Sequence, residues 1–422
     1  MGNKEQITKA YELAKAQYAA LGVDTDKVIN KMAQLQISLH NWQTDDVVGF
    51  EVKDAAGSGG GIQATGNYPG RATNIEQMQA DLEKVMSLLP GKQRVNLHAL
   101  YGDFKGKKVD RNEIEVEHFQ TWIDWAKELG IGMDFNPSCF AHAKADSGFT
   151  LSSKDEETRK FWVEHVARSR KIAAEIGKQL GSPCVNNIWI PDGMKDTPID
   201  RNGYRAILQK SLDEVRAVKY PTEHVKDAVE SKVFGIGLEA MTVGSHEFYM
   251  GYAMKNNILL CLDNGHYHPT ESVGDKISSC LLYVDELLLH VTRPIRWDSD
   301  HVVTLNEDVQ MIASEIVRND YLDRVNVGLD FFDASINRIG AYITGTRAAQ
   351  KAFMIAMLEP TAELVKYEEN AQYFERLAML EELKTMPFAA VWDYYCMQEG
   401  VPVGIDYIAE VRQYEKEVLV SR

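Results

Sequence analysis

The sequence predicts an α/β fold, a (β/α)8 TIM barrel with an N-terminal helix and a C-terminal helical extension, on three observations. Eight short apolar runs recur, each followed by a longer stretch of helical period, which is the pattern of parallel strands joined by crossover helices. Most of these runs end in His, Asp, Glu, Asn or Trp. A barrel gathers all its strand ends at one mouth, whereas an open doubly wound sheet focuses ligands at a switch point, so many polar ends favour the barrel. Beyond Asp330 the helical period continues with no further strand.

In chain order, strands are expected at 36–42 (QISLHNW), 94–101 (RVNLHALY), 131–138 (IGMDFNPS), 183–193 (PCVNNIWIPDG), 227–235 (DAVESKVFG), 258–266 (ILLCLDNGH), 287–293 (LLLHVTR) and 324–332 (RVNVGLDFF). Pro183 and Pro191 bracket the fourth, which weakens its pattern. Helical patterns occupy 74–89, 117–130 and 155–180, and the tail holds helical runs at 336–358, 360–385, 388–399 and 404–419. The expected organisation is one catalytic domain over 1–422, with a barrel core at about 36–358 and an extension at about 359–422 that serves oligomer contacts.

Composition narrows the function. The 422 residues include 46 Lys+Arg against 62 Asp+Glu, a formal net charge of −16, which opposes a nucleic acid or an anionic membrane as partner. Five scattered cysteines without a C-x-x-C argue against a disulfide framework and a thiolate zinc site. The first 22 residues read as a charged amphipathic helix rather than a signal peptide, and no apolar run reaches membrane-spanning length. Together these features predict a cytoplasmic protein. The glycine-rich stretch GSGGGIQATGNYPG (57–70) does not match the dinucleotide fingerprint in register and is expected to be a loop over the barrel mouth. HEFYM (246–250) has Met250 where a zinc-protease helix needs its second His.

The densest chemistry lies between residues 230 and 330: Glu230, Lys232, Asp263, His266, His290, Asp298, Asp300 and Asp330, each in or just after an expected strand. Residues i and i+2 of a strand face the same way, so Glu230 with Lys232, and Asp298 with Asp300, should each present two groups to one space. Five carboxylates and two imidazoles gathered there would repel one another and resist desolvation unless cations neutralised them. Oxygen-rich ligation without cysteine suits Mn²⁺, Mg²⁺, Co²⁺ or Zn²⁺, and the set is large enough for two ions sharing a bridging carboxylate. His40, His98, Asn136 and Trp189 also fall near strand ends, where a sugar would meet donors and a stacking face. His118, His142, His165, His224 and His301 are expected in surface or capping roles.

The blocks VESK (229–232), LDNGHYHPTE (262–271), RWDSDHVV (296–303), LDFFDASINRI (329–339), GGIQATGNYPG (60–70), NPSCFAHA (136–143) and NIWIPDGMKD (187–196) resemble the L-rhamnose isomerase family, and the likeness runs from the first helix to VRQYEKEVL (411–419). That resemblance implies a metal-dependent aldose–ketose isomerase, usually a homotetramer, that interconverts L-rhamnose and L-rhamnulose as the first step of L-rhamnose catabolism. It implies two ions per subunit, Mn²⁺ with Co²⁺ or Zn²⁺ as alternatives. Glu230, Asp263, His290 and Asp330 would hold the structural ion, and His266, Asp298 and Asp300 the catalytic one. Lys232 and Trp189 would lie beside the sugar, His98 would contact it, and Leu100 and Tyr101 would stand near its methyl end. The family scheme implies that hydrogen moves from C2 to C1 as hydride while a water shuttles the O2/O1 proton. The alternatives that the residues leave open are a related sugar isomerase or epimerase, and a non-catalytic sugar-binding protein.

Overall fold

A computed structural model describes residues 4–52, 64–233, 235 and 237–422. Eight parallel strands close into a barrel: β1 (Ile37–His40), β2 (Arg94–His98), β3 (Met133–Asn136), β4 (Cys184–Trp189), β6 (Val225–Glu230), β8 (Leu259–Asp263), β9 (Leu287–Val291) and β10 (Val325–Leu329). The circle is completed by β1 against β10, with Leu39 opposite Leu329. Two further two-residue strands, β5 (Gly193–Met194) and β7 (Met241–Thr242), pair antiparallel outside it. All eight expected strands are present, with two adjustments. The stretch expected at 183–193 leaves the barrel at Trp189 and resumes as β5, and the one expected at 227–235 starts at Val225 and ends at Glu230.

A crossover helix follows each strand. Ile75–Met86, Gln120–Leu129 and Glu156–Leu180 coincide with the expected patterns. Their starts are fixed locally: the Asn74 side chain accepts from Gln77 N at 2.9 Å and Asp155 from Thr158 N at 2.9 Å, meeting donors that a helix N-terminus leaves without partners.

Side-chain parity divides the interior into two compartments. On β8, Leu260 and Leu262 join the large core shared with the helices, while Leu259 and Cys261 join a small cluster with Val185, Ala228 and Leu288. Period-2 alternation thus gives one face of every strand to the helix layer and the other to the barrel axis. The floor of the barrel is polar. Asp134 accepts from Ser38 Oγ at 2.6 Å, from Arg94 Nε at 3.0 Å and Nη2 at 2.8 Å, and from Val185 N at 2.9 Å.

The tail departs from expectation at one point. The run expected over 360–385 is two helices, Thr361–Glu369 and Tyr373–Leu383, because Ala371 takes a left-handed conformation (φ 56°) that no α-helix continues through. Val391, Trp392, Tyr395, Val411 and Leu419 join the same buried cluster as the barrel helices. The first helix, Lys4–Ala20, is anchored to the helix Phe388–Gln398 by stacking of Tyr11 on Tyr394, ring centroids 3.9 Å apart. Of the expected glycine-rich loop, 57–63 lie outside the described residues. Its remainder is tied to the segment after β10: Tyr68 N donates to Ala334 O at 2.7 Å, and Arg338 Nη1 donates to the carbonyls of Tyr68 and Pro69 at 2.8 and 3.1 Å.

Gly177, inside the helix Glu156–Leu180, is there for closeness. A Cβ at this position would stand 1.9 Å from the His224 carbonyl oxygen and 2.9 Å from Cys184 N. Alanine in a helix interior normally gains about 0.5–1 kcal/mol over glycine. Here Gly177→Ala should instead destabilise by about 1–3 kcal/mol through overpacking, a reversal of sign that denaturant unfolding of the two proteins will read directly.

Candidate metal centre

Four strands of the second half of the barrel, and the loop after the third of them, build the centre. β6 ends in Glu230, β8 in Asp263, and β9 carries His290 directly opposite Asp263. Asp330 follows β10 immediately and continues the ladder by donating its N–H to Val291 O at 3.0 Å. Ligand atoms of Glu230, Asp263, His290 and Asp330 all lie within 4.8 Å of one another, and so do those of Asp263, His266 and Asp298. Asp263 therefore stands in both groups. His266 links them as well, with Nδ1 3.2 Å from Glu230 Oε1 and Nε2 3.2 Å from Asp298 Oδ2. His290 Nδ1 lies 3.2 Å from Glu230 Oε2 and 3.3 Å from Asp330 Oδ2.

Strand parity accounts for Glu230, Asp263, His290 and Asp330 but not for the others. Lys232 lies beyond the end of β6, and residues 293–301 form a loop rather than a strand: β9 ends at Val291, and the next N–H, that of Thr292, donates to Asn264 Oδ1 at 2.7 Å. A bridge between Arg293 and His301 pins that loop at its base. Asp298 reaches the centre from it, whereas Asp300, at φ 43°, falls outside both close groups and feels Asp298, Asp330 and Asp263 through space. Lys232 Nζ stands 2.5 Å from Asp298 Oδ2 and 6.0 Å from the Trp189 ring centroid.

The electrostatics show what the residues lack. Burial, reinforced by Glu230, Asp330 and Asp298, pushes Asp263 up to about 8. Burial and the neighbouring acids likewise hold Asp300 well above the carboxylate range. Burial acts against the charged forms of His266 and His290, yet their neighbours, Asp263 and Asp298 for His266 and Cys261, Glu230 and Asp330 for His290, hold both well above the ordinary histidine value. Glu230 and Asp298 are held low against the effect of burial, Glu230 by the two imidazoles and Asp298 by His266 and Lys232. Each of these directions has one cause: buried acids crowded together favour any added positive charge, from a proton, an imidazolium or a cation. Moreover, Asp263 Oδ2, His266 Nδ1, both nitrogens of His290, Asp298 Oδ1 and Asp330 Oδ1 are buried without a well-formed hydrogen bond, despite the close imidazole–carboxylate approaches. Buried polar atoms are normally satisfied, and convergent unpaired lone pairs on carboxylates and imidazoles are the donor set of a divalent cation. The residues present fit such ions.

Around this core the other expected residues take definite places. His98, at the end of β2, stacks on Trp42 with ring centroids 4.3 Å apart, and its Nδ1 lies 3.4 Å from Ser138 Oγ. Burial, with His290 nearby, keeps it neutral well below the usual value. His40, pushed down to about 4 by burial, has no partner for either ring nitrogen and packs edge-on against Phe331. Asn136 is turned inward, donating to Leu97 O at 3.2 Å. Trp189 keeps an unpartnered indole N–H and packs against Phe140. Leu100 and Tyr101 are buried in a turn after β2, where the Tyr101 hydroxyl donates to Asp45 at 2.7 Å. A cavity of about 390 Å³ adjoins the centre at Lys232 and His266 and extends past Tyr267, His246, Arg201 and Arg205.

Sequence reasoning missed several supports. Asn187, two residues before Trp189 and of the same parity, donates to Glu230 Oε2 at 2.5 Å; that parity was the available signal. His165 is neither at the surface nor a cap. It is fully buried, pushed down to about 3 by burial and then by Arg111. Its Nδ1 donates to Arg111 O and its Nε2 accepts from Ser138 N, both at 2.9 Å. Arg111 in turn grips Glu51 through Nε and Nη2 at 2.8 and 2.9 Å. Charged groups so far apart in sequence carry no local signal. His118 and His142 do cap, accepting from Glu115 N at 2.9 Å and Lys144 N at 3.1 Å.

Because Asn187 fixes which Glu230 oxygen is left for an ion, Asn187→Leu should weaken divalent-ion binding by about 10–100-fold, measured by calorimetric titration of the metal-stripped protein.

Comparison with known proteins gives a consistent answer. The sequence pattern of the family described as L-rhamnose isomerase (RhaA) matches residues 5–422. L-rhamnose isomerase of Rhodopirellula baltica is 56% identical over 422 residues, covering 100% of this chain and 98% of the relative. That of Bacteroides thetaiotaomicron is 55% identical over 100% of both chains, and that of Escherichia coli K12 is 54% identical over 99% of both. Among solved structures, L-ribulose 3-epimerase aligns with a TM-score of 0.50 at 14% identity, over 78% of this chain and 98% of that one, a likeness of fold alone. Matched over its whole length by family pattern and relatives alike, the chain belongs to the L-rhamnose isomerase family.

Proposed function

We propose that this chain, acting as one catalytic unit over 1–422, is a cytoplasmic aldose–ketose isomerase that interconverts L-rhamnose and L-rhamnulose using two divalent ions, Mn²⁺ in the first instance. The observation that carries the reading is the pair of ligand groups sharing Asp263 at the barrel mouth, with a protonated lysine and an aromatic face beside them. Glu230, Asp263, His290 and Asp330 would hold the structural ion. His266, Asp298 and Asp300 would hold the catalytic one, with Asp300 closing on it from its present place outside the group. A homotetramer accords with the helix Tyr373–Leu383, which has no buried residue and exposes Tyr373, Phe374 and Leu377, an apolar surface of the kind that marks interfaces.

Isomerisation moves a hydride from C2 to C1 and a proton from O2 to O1. Ions bound here supply Lewis acidity that polarises the two oxygens. The residues do the rest. Lys232 is held protonated by Asp298 against the effect of burial, and its remaining N–H groups offer stabilisation at O1, where negative charge grows as the hydride arrives. Trp189 gives the sugar a stacking face and a free indole N–H, and His98 offers a neutral imidazole to a hydroxyl. Leu100 and the Tyr101 ring close the apolar end against the C6 methyl. This reading assigns every carboxylate of the cluster to an ion, which weakens an enediol route that needs a free carboxylate base beside C2.

Chelation should abolish ketose formation from L-rhamnose, and readdition of Mn²⁺, Co²⁺ or Zn²⁺ should restore it to different degrees. His266→Asn or Asp298→Asn should lower kcat by orders of magnitude in a folded protein. Full activity in protein shown to be free of metal would overturn the reading. L-Rhamnose deuterated at C2 should deliver its label to C1 of the ketose, as read by NMR; complete exchange with solvent would establish the enediol route instead.

A further inference from the structure

The axis-facing position below Asp263 on β8 is Cys261. It is directly opposite Glu230 on β6, is free of any disulfide and is buried. Its Sγ forms a third close group, with one ligand atom each from Glu230 and His290 all within 4.8 Å of one another. The His290 side chain is 5% exposed, and neither ring nitrogen makes a well-formed hydrogen bond, although Nδ1 stands 3.2 Å from Glu230 and 3.3 Å from Asp330. Cys139, Cys184, Cys280 and Cys396 belong to no such group among the described residues.

We propose that Glu230, Cys261 and His290 form a second, softer position in this metal centre, one pleat deeper in the barrel, that takes thiophilic divalent ions such as Cd²⁺, Co²⁺ and Zn²⁺. The proposal rests on the reading of Glu230 and His290 as ion ligands. Hard ions are best served by the upper position, where Asp263 and Asp330 add oxygen donors to the same Glu230 and His290. An ion with affinity for sulfur gains more from one thiolate than from two further carboxylates, and it can reach the thiolate without giving up either shared ligand. Binding is charge-balanced: the Cys261 S–H bond breaks, sulfur bonds to the ion through the electron pair left behind, and the proton passes to solvent. The two positions are too close to be filled together, so a soft ion would displace a hard one rather than add to it.

Reconstitution of metal-stripped protein with Co²⁺ is the test, with stoichiometry measured alongside the spectrum. The wild type should bind Co²⁺ and show a near-ultraviolet thiolate-to-cobalt charge-transfer band. Cys261→Ser, with Cys261→Ala as a second variant and circular dichroism as the check on folding, should bind Co²⁺ without that band. Cd²⁺ affinity should fall by about 10–100-fold in these variants while Mn²⁺ affinity stays within about twofold. Two Co²⁺ ions bound to the wild type with no band, or a band that survives in both variants, would overturn the proposal and leave the two-ion reading standing. Failure of the wild type to bind Co²⁺ or Mn²⁺ at all would bring down both.

Discussion

Four acidic side chains held close together at the mouth of a closed ring, with Asp300 just outside them, are the constraint on which the rest of this molecule turns. Closure forces every strand to share one axis, and the period of two decides which residues see it. Asp263 opposite His290, and Leu39 opposite Leu329, fix that register. A slip of one residue in any ligand strand would turn its ligand into the helix layer and an apolar neighbour, such as Val229, Leu262 or Leu329, into the centre. Water can relax these acids only in part, because Glu230 and Asp263 are buried and Asp298, Asp300 and Asp330 are half-buried. They can only be satisfied in full by cations, by protons or by imidazolium, and the three solutions compete at the same lone pairs. The overall charge of −16 understates how uneven the distribution is, since several of these charges converge within a few ångströms.

Seen along its axis, the interior has three zones. The floor is a closed polar network around Asp134 and Arg94, in which each guanidinium nitrogen has a partner. The waist is a thin apolar plug of Val185, Ala228, Leu259, Cys261 and Leu288. Above it the mouth is acidic and incompletely satisfied. The floor's cations are already matched, Arg94 by Asp134 and Lys226 by Glu286, so the acids of the mouth are left for a ligand.

The fold was legible because alternation and apolar runs are local signals. Eight strands could be counted, and LLCLD at 259–263 gave both its buried length and its inward Asp. Four ligands were legible for the same reason, sitting on strands or one residue past them. Asp298 and Asp300 were picked out by residue type, but the strand pairing expected of them does not occur, because a loop pinned at Arg293 and His301 brings Asp298 inward by its shape rather than by parity. The deeper supports were also hidden. Arg111 is 60 residues from its partner Glu51, and nothing in either segment announces the other. The break at Ala371 was missed because alanine is the best helix former, and only its left-handed backbone, absent from any propensity, ends the helix there.

The pairing of β1 with β10 also has a bearing on how the chain comes off the ribosome. Gln43 exchanges two hydrogen bonds with the backbone of Asp333, 290 residues away, next to the last ligand of the centre. At roughly 5–20 residues per second, about 15–60 s separate the synthesis of the two ends of that contact. Through that interval the nascent barrel has an open seam with an unpaired edge on β1, the kind of edge that recruits other strands. Seam and ion site are completed by the same stretch of chain, so an ion arriving at Asp330 would act as the rivet on a sheet that has only just closed.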